Sequence, residues 1–295
     1  GMQRACEIEA VFELLVSAQI DFIVLKGEAL ARTYYANAHH RQRSDVDLLF
    51  ADKANAEKAA NILRARGYAR SNTLRGEFVG LQFTCSKGLT DNHAVHFDIH
   101  AAISDYLWFA RRLPYFELRG RTEQVVVGSS RVNILDPVFL LLHAAVHHAV
   151  NRRANIHDRL IWLYDIKLLC ESLSEEQWRE LRLICKEKDL SQTLLEALCS
   201  ARMVLTLQTP AELLGQLQFS ALTERAFIDG SEKRWQIYAA DFLQNPGLGN
   251  KLLQLKEHIF PDREYIAAKY QLDEPRWLSY YYLKRLWQGA IKYSR

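Results

Sequence analysis

Two aspartates one residue apart, Asp45 and Asp47, head the apolar run DVDLLF. In an extended segment side chains alternate, so both carboxylates point to one side and Val46 points to the other, into a core. Like charges this close destabilise a strand unless something positive neutralises them. Any fold built around this segment must bring a cation to it, as basic side chains, a metal ion or both.

The preceding residues offer candidates. Residues 22–25 (FIVL) read as a short buried strand, broken at Lys26-Gly27, and residues 28–36 resume as a helix. A strand, glycine turn and helix start present backbone N–H groups to an anion, and Lys26 adds a charge for phosphate. Residues 37–44 form a polar connection. Arg41 and Arg43 lie in it, each suited either to neutralising Asp45 or to binding phosphate.

Two carboxylates at this spacing can hold Mg²⁺, which takes few carboxylates, several waters and phosphate oxygens. A third acid would complete a two-metal site. Asp98 is the candidate, because VHFDIH (95–100) reads as a separate apolar strand. His96 and His100 flank Asp98 on the same strand face, placed to orient it or to touch phosphate. An anion cradle followed by paired metal acids points to metal-dependent phosphoryl or nucleotidyl transfer.

Helical spacing is expected over 5–18 and 52–66, the second ending at Gly67. Further strands are expected at 78–85, 94–100, 124–127 and 131–135, the last two joined as a hairpin by Gly128-Ser129-Ser130. Asp136-Pro137, an N-cap followed by an N1 proline, begins a helical half: 137–151, 157–172, 174–188, 191–206 and more. NPGLGN (245–250) breaks it, and an aromatic amphipathic helix follows Pro275. The fold class expected is α+β, with an α+β domain at 1–135 and a helical domain at 136–295.

Composition excludes several classes. Lys plus Arg number 38 against 35 Asp plus Glu, a net charge of +3, too mild for nucleic acid as the main partner. The aromatic tail (Trp277, Tyr280, Tyr281, Tyr282, Trp287) accordingly reads as core or interface. Five cysteines without a C-x-x-C pair argue against a disulfide framework and a zinc ribbon, and favour a reducing, cytoplasmic compartment. The start shows no basic-then-apolar leader, and the greasiest run, 138–150, carries three histidines and is too short to span a membrane.

His143 and His147 are four apart on one helical face, with His148 beside them and His157-Asp158 following. This constellation supports a rival reading, a metal phosphohydrolase with a His/Asp site. The helix lacks the glutamate of H-E-x-x-H, and histidines that hydrogen-bond between the two halves are the plainer account. Asp165, in an apolar helix, is expected to bond a histidine or an arginine.

The order of these features resembles the uncharacterised bacterial nucleotidyltransferase family of the DNA-polymerase-beta-like superfamily. The resemblance covers about residues 8 to 172. It rests on Leu25-Lys26-Gly27, Leu30, Tyr34 or Tyr35, Arg41 four before Asp45, Asp45-Val46-Asp47-Leu48-Leu49, Asp98-Ile99-His100, LLLHAAVHHA and LIWLYDI. It implies a small mixed sheet with flanking helices and a helical domain behind it. It also implies Mg²⁺ or Mn²⁺ on Asp45, Asp47 and Asp98, with Lys26 and Gly27 near the triphosphate of an NTP. The acceptor, a small molecule or a protein, is not specified, nor is the base. One residue departs from the wider superfamily, which carries Gly-Ser or Gly-Gly at the turn. Here Glu28 follows Gly27, so either Glu28 points away and Lys26 binds phosphate, or the chain is an inactive nucleotide-binding or scaffold protein of the same fold.

Overall fold

The computed structural model describes residues 2–90, 93–154, 156, 158–224, 239, 241–272 and 278–294. A seven-stranded mixed sheet runs in the order β3-β4-β5-β2-β1-β7-β6. Its strands are β1 (Phe22–Leu25), β2 (Asp45–Phe50), β3 (Ala69–Arg70), β4 (Gln82–Thr90), β5 (His93–His100), β6 (Thr122–Val127) and β7 (Ser130–Leu135). β2 pairs antiparallel with β1 and parallel with β5. β1 pairs parallel with β7, and β6–β7 is the expected hairpin, turned at Gly128 with φ +59°.

Helices α1 (Met2–Ser17) and α3 (Lys53–Ala65) pack together and against the sheet. Phe12 of α1, Phe22 of β1 and Phe50 of β2 contact one another in series, at ring distances of 5.7 and 6.2 Å. Burying each such ring is worth roughly 1.5–3 kcal/mol. This fixes the parity of β2: Val46, Leu48 and Phe50 belong to one face, so Asp45 and Asp47 belong to the other. Helix α2 (Lys26–Thr33) and α6 (Pro137–Arg153) contact each other, α2 over β2 and α6 against β7. The Asp136 carboxylate accepts the Phe139 N–H at 2.9 Å, capping α6 as expected.

Helices α4 (Leu107–Arg112) and α5 (Tyr115–Arg119) lie between β5 and β6. The helical half continues with α7 (Leu160–Ser172), α8 (Glu175–Glu187), α9 (Ser191–Val204), α10 (Leu213–Ala221), α11 (Leu248–Ile259), α12 (Arg263–Tyr270) and α13 (Leu278–Ser294). One buried core runs from Ile8 to Leu217 through sheet and helices alike. Among the described residues no helix is long and apolar enough to cross a membrane.

Two local expectations are corrected, and two helices appear where the sequence pattern gave none. β4 begins at Gln82, not at 78, because Gly80 turns at φ +64° and a Cβ there would meet the Leu74 carbonyl at 1.8 Å. α2 begins at Lys26, and the left-handed backbone falls on Lys26 (φ +47°), not on Gly27. α4 and α5 lay hidden in a mixed polar-apolar segment that Pro114 divides. Trp277 and His157 lie outside the described residues.

Candidate active site

The register of β2 against its neighbours assembles the site. Asp47 is the parallel partner of Asp98 and the antiparallel partner of Leu25, the last residue of β1. Lys26 therefore leaves the sheet one residue beyond Asp47's partner. Its Nζ donates to Asp47 Oδ1 at 2.6 Å. His100 Nε2 lies 2.9 Å from the same oxygen. Asp98 is held separately: Thr84 Oγ1 donates to its Oδ1 at 2.7 Å and Gln82 Nε2 to its Oδ2 at 3.3 Å.

His100 therefore holds Asp47, not its strand neighbour Asp98, and His96 bonds the Ser86 hydroxyl at 2.8 Å. Neither histidine orients Asp98, because the hydrogen bonds run across strands rather than along β5.

Three carboxylates and one ammonium share this spot, and the charges respond. Burial would raise Asp47, but Lys26 and His100 outweigh it and hold the carboxyl well below its usual range. Asp45 is raised, by burial and then by the Asp47 and Asp98 charges, with Lys26 only partly offsetting them. One lysine leaves the cluster short of positive charge. Ligand atoms of Asp47, Asp98 and His100 all lie within 4.8 Å of one another. With the Asp45 carboxylate beside them, this oxygen-rich set fits a hard divalent cation.

The arginines do not neutralise Asp45. Arg41 is buried and pairs twice with Asp165, Nε to Oδ1 at 3.1 Å and Nη2 to Oδ2 at 2.6 Å. Arg43 pairs with Glu28 and donates to the carbonyls of Ala38 and Arg41. Glu28 is itself buried and also accepts from Arg32 at 2.8 Å. Its carboxylate is thus held in an arginine clamp. The same packing is tight at Gly27: a Cβ there would lie 3.0 Å from Arg41 Nη1.

Two clefts meet over the acids. One, of about 440 Å³, is lined by Lys26, Gly27, Arg41, Arg43, Asp45, Asp47 and Asp165, with α6 and α7 as its far wall. The other, of about 860 Å³, is lined by Asp98, His100, Asp105, Asp241, Gln254 and Tyr265 among others. Lys26, Ser44, Asp45, His143, His147, Arg159 and Trp162 line both. Burial and then the Lys26 charge push His143 well below the ordinary imidazole range and His147 down to about 3, so both rings are neutral. His147 packs edge-on against Trp162 at 4.8 Å.

The histidine-site hydrolase is not supported. His148, not His143 or His147, lies near Asp158, at 3.2 Å. Among the described residues the one group with metal-ligand spacing is Asp47, Asp98 and His100. Sequence reading missed Arg159, Trp162, Asp105 and the cleft residues beyond 240. The Arg-x-x-Trp step into α7 is a weak signal for the first two, and nothing local marks the rest.

A family model described as an uncharacterised nucleotidyltransferase matches residues 2–206, further than the segment in which the motifs are legible. No curated protein matches the chain. Among solved structures, an antigenic nucleotidyltransferase-like protein from Paracoccidioides brasiliensis superposes with a TM-score of 0.42 and 14% identity, over 66% of this chain and 93% of that one.

Proposed function

The chain belongs to the uncharacterised nucleotidyltransferase family, and from that premise we propose that it moves a nucleotidyl group from an NTP to an acceptor. The observation that carries this reading is the side-by-side register of Asp47 and Asp98 at the junction of two clefts, with Asp45 one pleat along β2. Asp45, Asp47 and Asp98 would hold Mg²⁺ or Mn²⁺. Bound there, such a cation supplies neutralisation of phosphate charge and activation of the attacking group.

The protein's own side chains do the rest. Lys26 and the Gly27 N–H face phosphate oxygens in the smaller cleft, with Arg41 and Arg43 holding the loop that forms its wall. Neutral His143 and His147 line the junction without adding charge. The larger cleft receives the acceptor, whose nucleophile attacks the α-phosphorus as pyrophosphate leaves. Asp98, open to that cleft and fixed by Thr84, stands where the acceptor's proton departs. Within this reading the chain is a polymerase-beta-like enzyme of a bacterial cytoplasm, organised as an α+β domain (1–135) and a helical domain (136–295).

The test is a thermal-shift titration of wild type and Asp45→Asn with ATP, GTP, CTP and UTP, each with and without Mg²⁺ or Mn²⁺. A ligand at about 100 times its dissociation constant adds roughly 2.7 kcal/mol. A metal-dependent shift, lost in the variant, is expected for at least one nucleotide and names the base. No shift with any nucleotide in folded protein would leave an inactive or scaffold role as the better account.

A further inference from the structure

Lys26 is used in a way that the transfer reaction alone does not require. Its ammonium lies against Asp47 Oδ1, an oxygen of the candidate metal cluster. The carboxylates of Asp45 and Asp98 also attract it. The side chain nonetheless keeps 23% of its surface exposed and lines both clefts. Its backbone holds a left-handed φ of +47°, which a non-glycine residue adopts only where surrounding contacts enforce it. A tethered cation, paired with the cluster yet facing open space, can be exchanged for a mobile one.

We infer that Lys26 is an internal counter-ion that occupies the acid cluster in the free protein and is drawn off it by a polyphosphate, so that phosphate and divalent cation bind in a linked order. The phosphate half of this inference rests on the nucleotidyltransferase reading; the counter-ion half does not. Two cations cannot share one Asp47 oxygen at contact distance without strong repulsion. A divalent ion arriving alone must therefore displace a covalently tethered lysine. When polyphosphate enters the smaller cleft, the ammonium gains a partner there, and the four-carbon stem lets it move without the backbone moving. Asp47 is then released to the divalent ion. Metal binding alone is weak, and each ligand strengthens the other by the same factor.

Mn²⁺ binding read by the electron paramagnetic resonance signal of the free ion tests this without any turnover. Lys26→Met is expected to bind Mn²⁺ alone about tenfold or more tightly than wild type. Lys26→Arg, which keeps the charge, should show no such gain. Loss of a merely structural lysine would weaken binding, so the sign is diagnostic. Lys26→Cys adds an internal control: alkylation with bromoethylamine restores a side-chain ammonium and should reverse the gain in already folded protein. Mn²⁺ affinity in Lys26→Met and Lys26→Cys no higher than in wild type would overturn the counter-ion role. In wild type, inorganic pyrophosphate should raise the amount of protein-bound Mn²⁺, and in Lys26→Met this enhancement should shrink. A gain in Lys26→Met with no pyrophosphate effect in wild type would keep the counter-ion and overturn the phosphate-driven exchange, and the nucleotidyltransferase reading would be weakened with it.

Discussion

Arg41 and Asp165, 124 positions apart, meet in a two-pronged ion pair with Nη2–Oδ2 at 2.6 Å and Nε–Oδ1 at 3.1 Å. The pair joins the loop leading into β2 to helix α7, so it sets the distance between the acid-bearing strand and the far wall of the smaller cleft. Tyr35 completes it, donating its hydroxyl to Asp165 Oδ1 at 2.7 Å. Both charged side chains are almost wholly buried, at 8% and 5% exposure.

A buried pair is costly to break by halves, because the surviving charge stays desolvated. Asp165→Asn should lower stability by about 3–5 kcal/mol, and Arg41→Met/Asp165→Leu together should recover much of the loss. Urea unfolding of the two variants and wild type measures this. A double variant as unstable as the sum of its parts would show that the pair holds more than itself in place.

Glu28 offers a second, acid-dependent test. Burial opposes its ionisation, but Arg43 and Arg32 more than compensate and hold its carboxyl below the usual carboxylate range. The sign follows: a carboxylate depressed by folding contributes stability that is present above its unfolded pKa and is lost as pH falls through its folded one. Wild type should therefore lose stability below about pH 4.5, and Glu28→Gln should lose less over the same range while being less stable at pH 7. Melting temperatures from pH 7 down to the acid transition would show the two curves converging.

Asp241 works in the opposite direction. It is 8% exposed and accepts the Trp108 N–H at 3.2 Å near the start of α4. Burial pushes its carboxyl up to about 6, with the backbone donors of Trp108 and Leu107 opposing. Folding thus favours the protonated form, and the penalty for its charge grows as pH rises through 6. Asp241→Asn, which keeps the acceptor oxygen, should raise stability at pH 7.5 by about 1–3 kcal/mol and change it little at pH 4. The difference between variant and wild-type stability, followed against pH, isolates this group. A flat difference would remove Asp241 as its source.

Gly27→Ala probes the contact between turn and clamp. A Cβ at 3.0 Å from Arg41 Nη1 and 3.2 Å from its Cζ must push the guanidinium outward by a few tenths of an ångström. Arg41 has little freedom, because Asp165 holds its Nε and Nη2 and the Gln42 carbonyl accepts from its Nη1. The expected outcome is a loss of about 1–2 kcal/mol in stability and weaker nucleotide binding, read by the same thermal-shift titration. Combining Gly27→Ala with Asp165→Asn should cost less than the two separately, since the freed guanidinium can yield.

Much of the scaffold was legible in sequence because its causes are local. The alternation in DVDLLF fixed which side chains share a face, Asp136-Pro137 fixed the start of α6, and Gly67 and Gly128 marked turns with φ of +91° and +59°. The order of strand, turn, paired acids and a third acid was enough to resemble the family to which the chain belongs. Each of these signals lies within a few neighbouring residues, where backbone sterics and side-chain period act directly. Most partners of the charges were not legible, although the expectation that Asp165 bonds a histidine or an arginine is met by Arg41. Lys26 neutralises Asp47 across 21 positions, His100 holds Asp47 across 53, and Arg41 takes Asp165 across 124. Arg43 and Glu28, both close in sequence to the glycine turn, pair with each other. Those choices turn on which buried charges the sheet register and the helical half bring within a few ångströms, and on the cost of leaving any one of them unpaired. That cost is set by burial, a property of the folded whole that no short segment carries.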